Sequence, residues 1–186
     1  REGLTHILEQ AKFMTNLVSQ LLDVARLENA HDLNLSPVDV SLMLTNMVHD
    51  YTRLCAENTE KQITITSHIE PNLRMTAHEV SLRRAITNLV DNAIKYSDEN
   101  SSIFITITED KQCIKIAIKD SGPGISIEDL PHIFKPFYRA NNTRTYYGNG
   151  LGLSIAQILA QKNHSNILVE NNKEKGSCFT LIISKN

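Results

Sequence analysis

The sequence predicts an α/β domain, a two-layer sandwich in which a mixed, largely antiparallel sheet packs on helices, preceded by one long bundle helix. Three observations carry that expectation. Apolar residues recur three and four apart over residues 4–25 and again over 78–96, the period of an amphipathic helix. Isoleucines alternate with other residues over 103–107 and 114–118, the period of half-buried strands. The two periods interleave along the chain, so helices and strands share a layered core.

The first stripe is Leu4, Ile7, Ala11, Met14, Val18, Leu21 and Ala25, widened by Leu8, Leu17 and Leu22. Such a stripe cannot bury itself, so the helix needs a partner helix, and self-association is the simple expectation. The period fades over residues 27–30, and Pro37 restricts Ser36 to an extended conformation, which places the domain boundary after residue 30. Asp39 or Ser41 would cap a second helix running to about residue 58, with Leu42, Leu44, Met47, Val48 and Tyr51 on its apolar side. Ile63, Ile65, Ser67 and Ile69 alternate as a strand, and a short strand over residues 73–76 would pair with it before the next helix. In that helix, residues 78–96, the positions Val80, Leu82, Ala85, Ile86, Leu89, Val90, Ala93 and Ile94 return to helical spacing. The two Ile-rich strands form an antiparallel hairpin around Asp110 and Lys111. A helix over residues 151–161 and strands over 167–169 and 177–183 close the chain.

Composition excludes more than it selects. With 19 Lys+Arg against 21 Asp+Glu the net charge is -2, which leaves no electrostatic footprint for nucleic acid or an anionic membrane. The three cysteines, Cys55, Cys113 and Cys178, form no CxxC pair, which argues against a disulfide framework and a zinc cluster and fits a reducing compartment. No apolar run approaches the roughly 18 to 20 residues that span a bilayer, and the N-terminus carries no signal-peptide pattern. Any membrane attachment is expected from parts outside this chain.

Three polar motifs sit on this scaffold. Asn88, Asn92 and Lys95 fall three and four apart on one face of the 78–96 helix. Amide oxygens can coordinate Mg²⁺ and a lysine one turn on can neutralise phosphate, although a solvated helix face fits the same spacing. Asp120 ends a strand and is followed by Gly122, Pro123 and Gly124, a tight turn where a carboxylate could accept a hydrogen bond from the exocyclic amine of adenine; an ordinary turn fits as well. Gly148, Gly150 and Gly152 open a helix, where bare N–H groups would meet an anion such as phosphate, or simply make a hinge. Their spacing matches neither a dinucleotide-fold GxGxxG nor a P-loop. Between the Gly122–Gly124 turn and Gly148, residues 133–139 read as an aromatic anchor and 140–147 as a mobile flap.

Taken jointly, these segments resemble the ATPase domain of sensor histidine kinases, which shares a superfamily with gyrase, Hsp90 and MutL. NLVDNAIKYS resembles the N box, DSGPGI the first glycine box, IFKPFYRA the phenylalanine box and GNGLGLSIA the second glycine box, in order over residues 88–156. LLDVARLENA resembles the end of the second helix of the dimerisation hairpin and GSCFTLIIS the final strand, so the likeness covers nearly the whole chain. It implies a Bergerat-type ATP-binding fold over residues 31–186, and over 1–30 the second helix only of the dimerisation and phosphotransfer hairpin.

The resemblance also implies ATP and Mg²⁺ as ligands and transfer of the γ-phosphoryl group to a histidine, for relay to the aspartate of a response regulator receiver domain. Asn92, with Asn88 beside it, would hold Mg²⁺, and Asn92 and Lys95 would be the catalytic pair. Lys95 and Arg139 would contact phosphates and Asp120 the adenine amine. Tyr96, Ile125 and Leu153 would line the adenine pocket, shaped by Gly122 and Gly124. Gly148, Gly150, Leu151 and Gly152 would let the lid meet the triphosphate, with Phe134 and Phe137 as lid anchors. A homodimer through the N-terminal helix and a place on the cytoplasmic side of a membrane-anchored bacterial sensor follow from the same likeness.

Two departures stand out: Ser165 follows His164 where the family has glycine, which would alter a turn, and His78 stands where an acidic residue is common, read as a helix start. The family's acceptor histidine, followed by an acidic residue and later proline, has no match. His49-Asp50 comes closest, with Leu54 in place of the proline, and His6 lacks an acidic neighbour. The fragment is therefore expected to bind ATP without phosphorylating itself. The alternatives are another enzyme of the superfamily, an anti-sigma serine kinase or an ATP-driven clamp, and a dimerising interaction module that no longer uses ATP.

Overall fold

The computed structural model describes residues 34–57, 61–140, 146 and 148–185, together with Met14, Thr15, Val18 and Leu22. The chain divides into two units, Arg1–Leu33 and Asn34–Asn186. In the first, Met14, Thr15, Val18 and Leu22 are helical and exposed. The remaining positions of the expected stripe, the LLDVARLENA segment apart from Leu22, and the expected boundary at residue 30 lie outside the described residues.

The second unit is the expected two-layer α/β sandwich. Strand β1 (Ser36–Asp39) leads into helix α1 (Val40–Glu57), then come β2 (Thr64–Ile69), β3 (Arg74–Ala77), helix α2 (Glu79–Tyr96), β4 (Ser102–Glu109), β5 (Cys113–Lys119), helix α3 (Gly152–Lys162), β6 (Ser165–Asn171) and β7 (Ser177–Ser184). Five strands form one sheet in the order β2-β4-β5-β7-β6, and β1 pairs with β3 in a separate two-stranded sheet. Within the large sheet β2 and β4 run parallel, whereas β4–β5, β5–β7 and β6–β7 are antiparallel.

Alternation decides which face is covered. Ile103, Ile105 and Ile107 of β4, Ile114, Ile116 and Ile118 of β5, and Phe179, Leu181 and Ile183 of β7 are all buried, while Phe104 and Leu168 on the opposite face are exposed. The buried face meets Leu82, Ile86, Leu89, Val90 and Ala93 of α2, with Ala156 and Ala160 of α3 in the same core. Each fully buried isoleucine of this layer contributes about 1.5–3 kcal/mol.

The helix starts follow local chemistry. Asp39 Oδ1 accepts the Leu42 N–H at 2.9 Å and caps α1. Ser41, the other capping candidate, is buried instead; its hydroxyl donates to Glu70 O at 2.6 Å and accepts from Leu73 N at 2.9 Å. His78 caps α2 through Nδ1, which accepts the Ser81 N–H, in keeping with its reading as a helix start.

Three local expectations need correction. The strands before α2 do not pair with each other: β2 joins β4 across the α2 crossover, and β3 takes β1 as its partner. The stretch around Pro37 is itself a strand, because an extended proline is tolerated on the edge of a two-stranded sheet. At the α3–β6 turn the left-handed residue is His164, with φ 52, while Ser165 begins β6 and donates its hydroxyl to Asn163 O at 2.9 Å. Serine therefore occupies a position that does not require glycine.

Candidate nucleotide-binding site

The site candidates gather where the C-terminal half of α2, the turn after β5 and the start of α3 converge. Asn88, Asn92 and Lys95 lie along α2 and are partly buried. Asn88 Nδ2 is buried and has no hydrogen-bond partner among the described residues. An orphaned buried amide costs about 1–3 kcal/mol, and since its O and N ends exchange by a flip, it can offer oxygen to a cation or nitrogen to a phosphate. Among the described residues no three His, Cys, Asp or Glu side chains cluster as metal ligands. Next to Asn92, Asp91 accepts the Tyr51 hydroxyl at 2.8 Å and fastens α2 to α1; burial pushes both pKa values up.

Lys95 reaches from the last turn of α2 toward the second glycine box. Its Nζ donates to Tyr96 Oη at 2.9 Å and lies 4.6 Å from the Tyr96 ring centroid. A Cβ on Gly148 would collide with that ammonium, so glycine is what lets the lysine approach. Beyond it, a Cβ at Gly152 would meet nothing within 4 Å among the described residues.

Asp120 follows β5 and is only 3% exposed. Its Oδ1 accepts the N–H groups of Gly122 at 2.8 Å and Ser177 at 3.1 Å, and its Oδ2 accepts the Ser177 hydroxyl at 2.6 Å. The carboxylate is therefore held by neutral donors, with acceptor capacity remaining. Gly122 presses on the end of α2: a Cβ there would stand 2.6 Å from Tyr96 O. Gly124 adopts φ 74, the left-handed region. Asn171 of β6 then clamps the turn in both directions, accepting from Ile125 N at 2.8 Å and donating to Ile125 O at 2.7 Å.

The lid segment meets the same region. Phe134 packs against the core, as an anchor should, but Phe137 is 54% exposed with φ 64, so one of the two expected anchors is outside the core. Phe137 N donates to Gly150 O at 3.1 Å, and a Cβ on Gly150 would come within 2.7 Å of Tyr138 O. Arg139 donates through Nη2 to Tyr146 O, and the Tyr146 ring stands edge-on to Tyr96 at 5.1 Å. Residues 141–145 and 147, the rest of the expected flap, lie outside the described residues.

The Leu151 side chain is 1% exposed and its N–H donates to Asn149 Oδ1 at 3.1 Å, so the residue braces the turn from inside the core. Ile125 and Leu153 are half-buried and pack at the edge of the core beside the turn and α3. Sequence reasoning missed Lys61, Asn171 and Ser177. Ser177 could have been found, because GSCFTLIIS was visible as the last strand; nothing local marks the other two.

Residues 77–186 match the family of histidine kinase-, DNA gyrase B- and HSP90-like ATPases. The chain is 33% identical over 187 residues to the phosphate regulon sensor protein PhoR of Haemophilus influenzae, covering 100% of this chain and 43% of that protein. It is 32% identical over 180 residues to the sensor-like histidine kinase SenX3 of Mycobacterium tuberculosis, covering 95% of this chain and 43% of that one. Among solved structures, full-length ShkA in complex with AMPPNP superposes with a TM-score of 0.80 at 25% identity, over 98% of this chain and 38% of that one. The chain thus spans less than half the length of these relatives. It belongs to the histidine kinase-, DNA gyrase B- and HSP90-like ATPase family, and within it to the ATP-binding catalytic domains of sensor histidine kinases.

Proposed function

We propose that this domain binds ATP with Mg²⁺ between α2, the β5 turn and α3, and directs the γ-phosphoryl group to a histidine on a helix outside these residues. The observation that carries the reading is Asp120, a nearly fully buried carboxylate held by the neutral donors Gly122 and Ser177. It is suited to accept from the amine of adenine. Asn88 and Asn92 would hold Mg²⁺, which when bound spreads the charge that develops on the phosphoryl group. Lys95 and Arg139 meet the phosphates, and Tyr96, Ile125 and Leu153 wall the base. Gly148, Gly150 and Gly152 keep backbone close to the triphosphate, and the lid excludes water.

His49 is the described histidine nearest to an acceptor motif; it faces solvent on α1 with Asp50 beside it at 3.9 Å. We assign it no acceptor role, since Leu54 replaces the expected proline. The partners of the whole protein are a response regulator receiver domain and a second copy of the chain. Met14, Val18 and Leu22 support the latter, standing one helical turn apart and 64%, 51% and 52% exposed. Among the described residues no helix is long and apolar enough to cross a membrane; the anchor of a membrane-bound sensor, with this domain on its cytoplasmic face, would come from other parts of the parent.

Calorimetric titration of the chain with ATP, with and without Mg²⁺, tests the reading. Saturable binding that weakens when Mg²⁺ is chelated is expected, with little acid-labile label on the chain from γ-labelled ATP. Absence of binding would remove the nucleotide reading, and strong histidine-linked self-labelling would remove the external acceptor.

A further inference from the structure

We propose that Lys61 is a positioning residue of the nucleotide site, its ammonium fixing the C-terminal end of α2 on which Lys95 and Tyr96 stand. The inference rests on the nucleotide reading above and adds to it a residue from outside the four sequence motifs.

The last carbonyls of a helix have no partners within it and carry the negative end of its dipole. Lys61, just before β2, supplies the cation: its Nζ donates to Ile94 O at 3.0 Å, Lys95 O at 2.6 Å and Ser97 O at 2.9 Å. All three ammonium hydrogens are thereby used. The main chain of the same residue accepts the Asn100 N–H at 2.9 Å, so Lys61 grips the α2–β4 connection twice. Burial lowers its pKa, and the carboxylates of Asp98 and Glu99 oppose that effect.

What this grip holds is functional geometry. Lys95 points at Gly148, and the Tyr96 carbonyl abuts Gly122 in the turn that carries Asp120. Ser97, whose carbonyl Lys61 binds, is 1% exposed. On its other side the Lys61 ammonium lies 5.8 Å from the ring centroid of Tyr146, the lid residue that packs edge-on against Tyr96. One side chain therefore sets the base-binding end of α2 and touches the lid. A helix cap without that role would change stability alone.

The test compares the parent chain with Lys61→Met and Lys61→Arg by titration with ADP and with ATP, at a temperature where circular dichroism shows each variant folded. We expect Lys61→Met to weaken both nucleotides, about tenfold, because Tyr96 walls the base that both of them carry. Lys61→Arg, which keeps a cation with several donors, should recover most of the loss. Unchanged affinity in Lys61→Met, even with a lowered melting temperature, would reduce the lysine to a cap and overturn the proposal; so would a loss confined to ATP. Should Lys61→Met fail to fold, Lys61→Gln, which keeps two N–H donors but removes the charge, takes its place: weaker binding of both nucleotides supports the proposal, and unchanged binding overturns it. Failure of the parent chain to bind either nucleotide would sink the nucleotide reading itself, an outcome distinct from equal binding by parent and variant.

Discussion

Replacing Asp120 by asparagine should separate what the carboxylate does for the fold from what it does for the base. Alanine would not: it strips the buried N–H groups of Gly122 and Ser177 of their acceptor. At about 1–3 kcal/mol for each buried donor, the loss of about 2–6 kcal/mol is comparable to the whole stability of a domain. Asparagine keeps Oδ1 in place for both N–H groups. Its amide nitrogen takes the place of Oδ2 and can donate to Ser177 Oγ, the atom that donates to the carboxylate at 2.6 Å in the parent. The fold should lose about 1 kcal/mol, a melting shift of about 2–4 °C. On the proposed reading, the amine of adenine would then meet an NH₂ group where it needs an acceptor. Losing a hydrogen bond to a charged acceptor costs about 1.5–3 kcal/mol, so the dissociation constant for ATP should rise about 10- to 150-fold. Calorimetry of parent and Asp120→Asn, with melting curves alongside, reads both quantities. A well-folded Asp120→Asn that binds ATP within about twofold of the parent would refute the assignment of Asp120 to the base.

Two further outcomes follow from the site's supports. Asn171→Ala removes both hydrogen bonds to Ile125 and should lower the melting temperature by about 3–6 °C, with a several-fold loss of nucleotide affinity as the turn loosens; an unchanged melting curve would count against the clamp. In the lid region, hydrogen bonds from Tyr138 and Ser126 hold the Asp129 carboxyl below its ordinary value of 3.8. A depressed carboxyl pKa adds stability above the unfolded value and loses it as pH falls through the folded one. Asp129→Asn should therefore flatten the loss of stability below about pH 4, and urea titrations at several acid pH values that show the parent's slope unchanged would exclude this role.

Much of the fold was legible because its signals are local. The Ile103–Ile107 and Ile114–Ile118 alternations needed only period two, and the structure pairs them in the expected antiparallel hairpin. The helix of the N-box segment announced itself by a buried face and ends at Tyr96 as expected. What stayed hidden depends on distant closure. The parallel pairing of β2 with β4 requires α2 to cross over between them, and a local reading saw two neighbouring strands and paired them. Lys61 bonds carbonyls 33 to 36 residues away, where the acceptor is backbone and leaves no trace in side-chain type. Asn171 reaches 46 residues back to Ile125 for the same reason. Exposure also misled: Phe137 has the composition of an anchor but sits in a left-handed conformation facing solvent.

The partnership of Asp120 with Ser177 has a consequence for how the protein is made. The carboxylate leaves the central strand β5, whereas its partner opens β7, 57 residues later in the chain. Gly176, the residue before Ser177, adopts φ 88, and a Cβ there would collide with Asp120 O. On a ribosome adding about 5–20 residues per second, roughly 3–11 s separate the emergence of the two halves. Throughout that interval the nascent domain possesses both asparagines and the lysine of α2, yet Asp120 lacks the donors that Ser177 supplies. On the proposed reading, nucleotide would bind only a chain whose strand β7 has already docked.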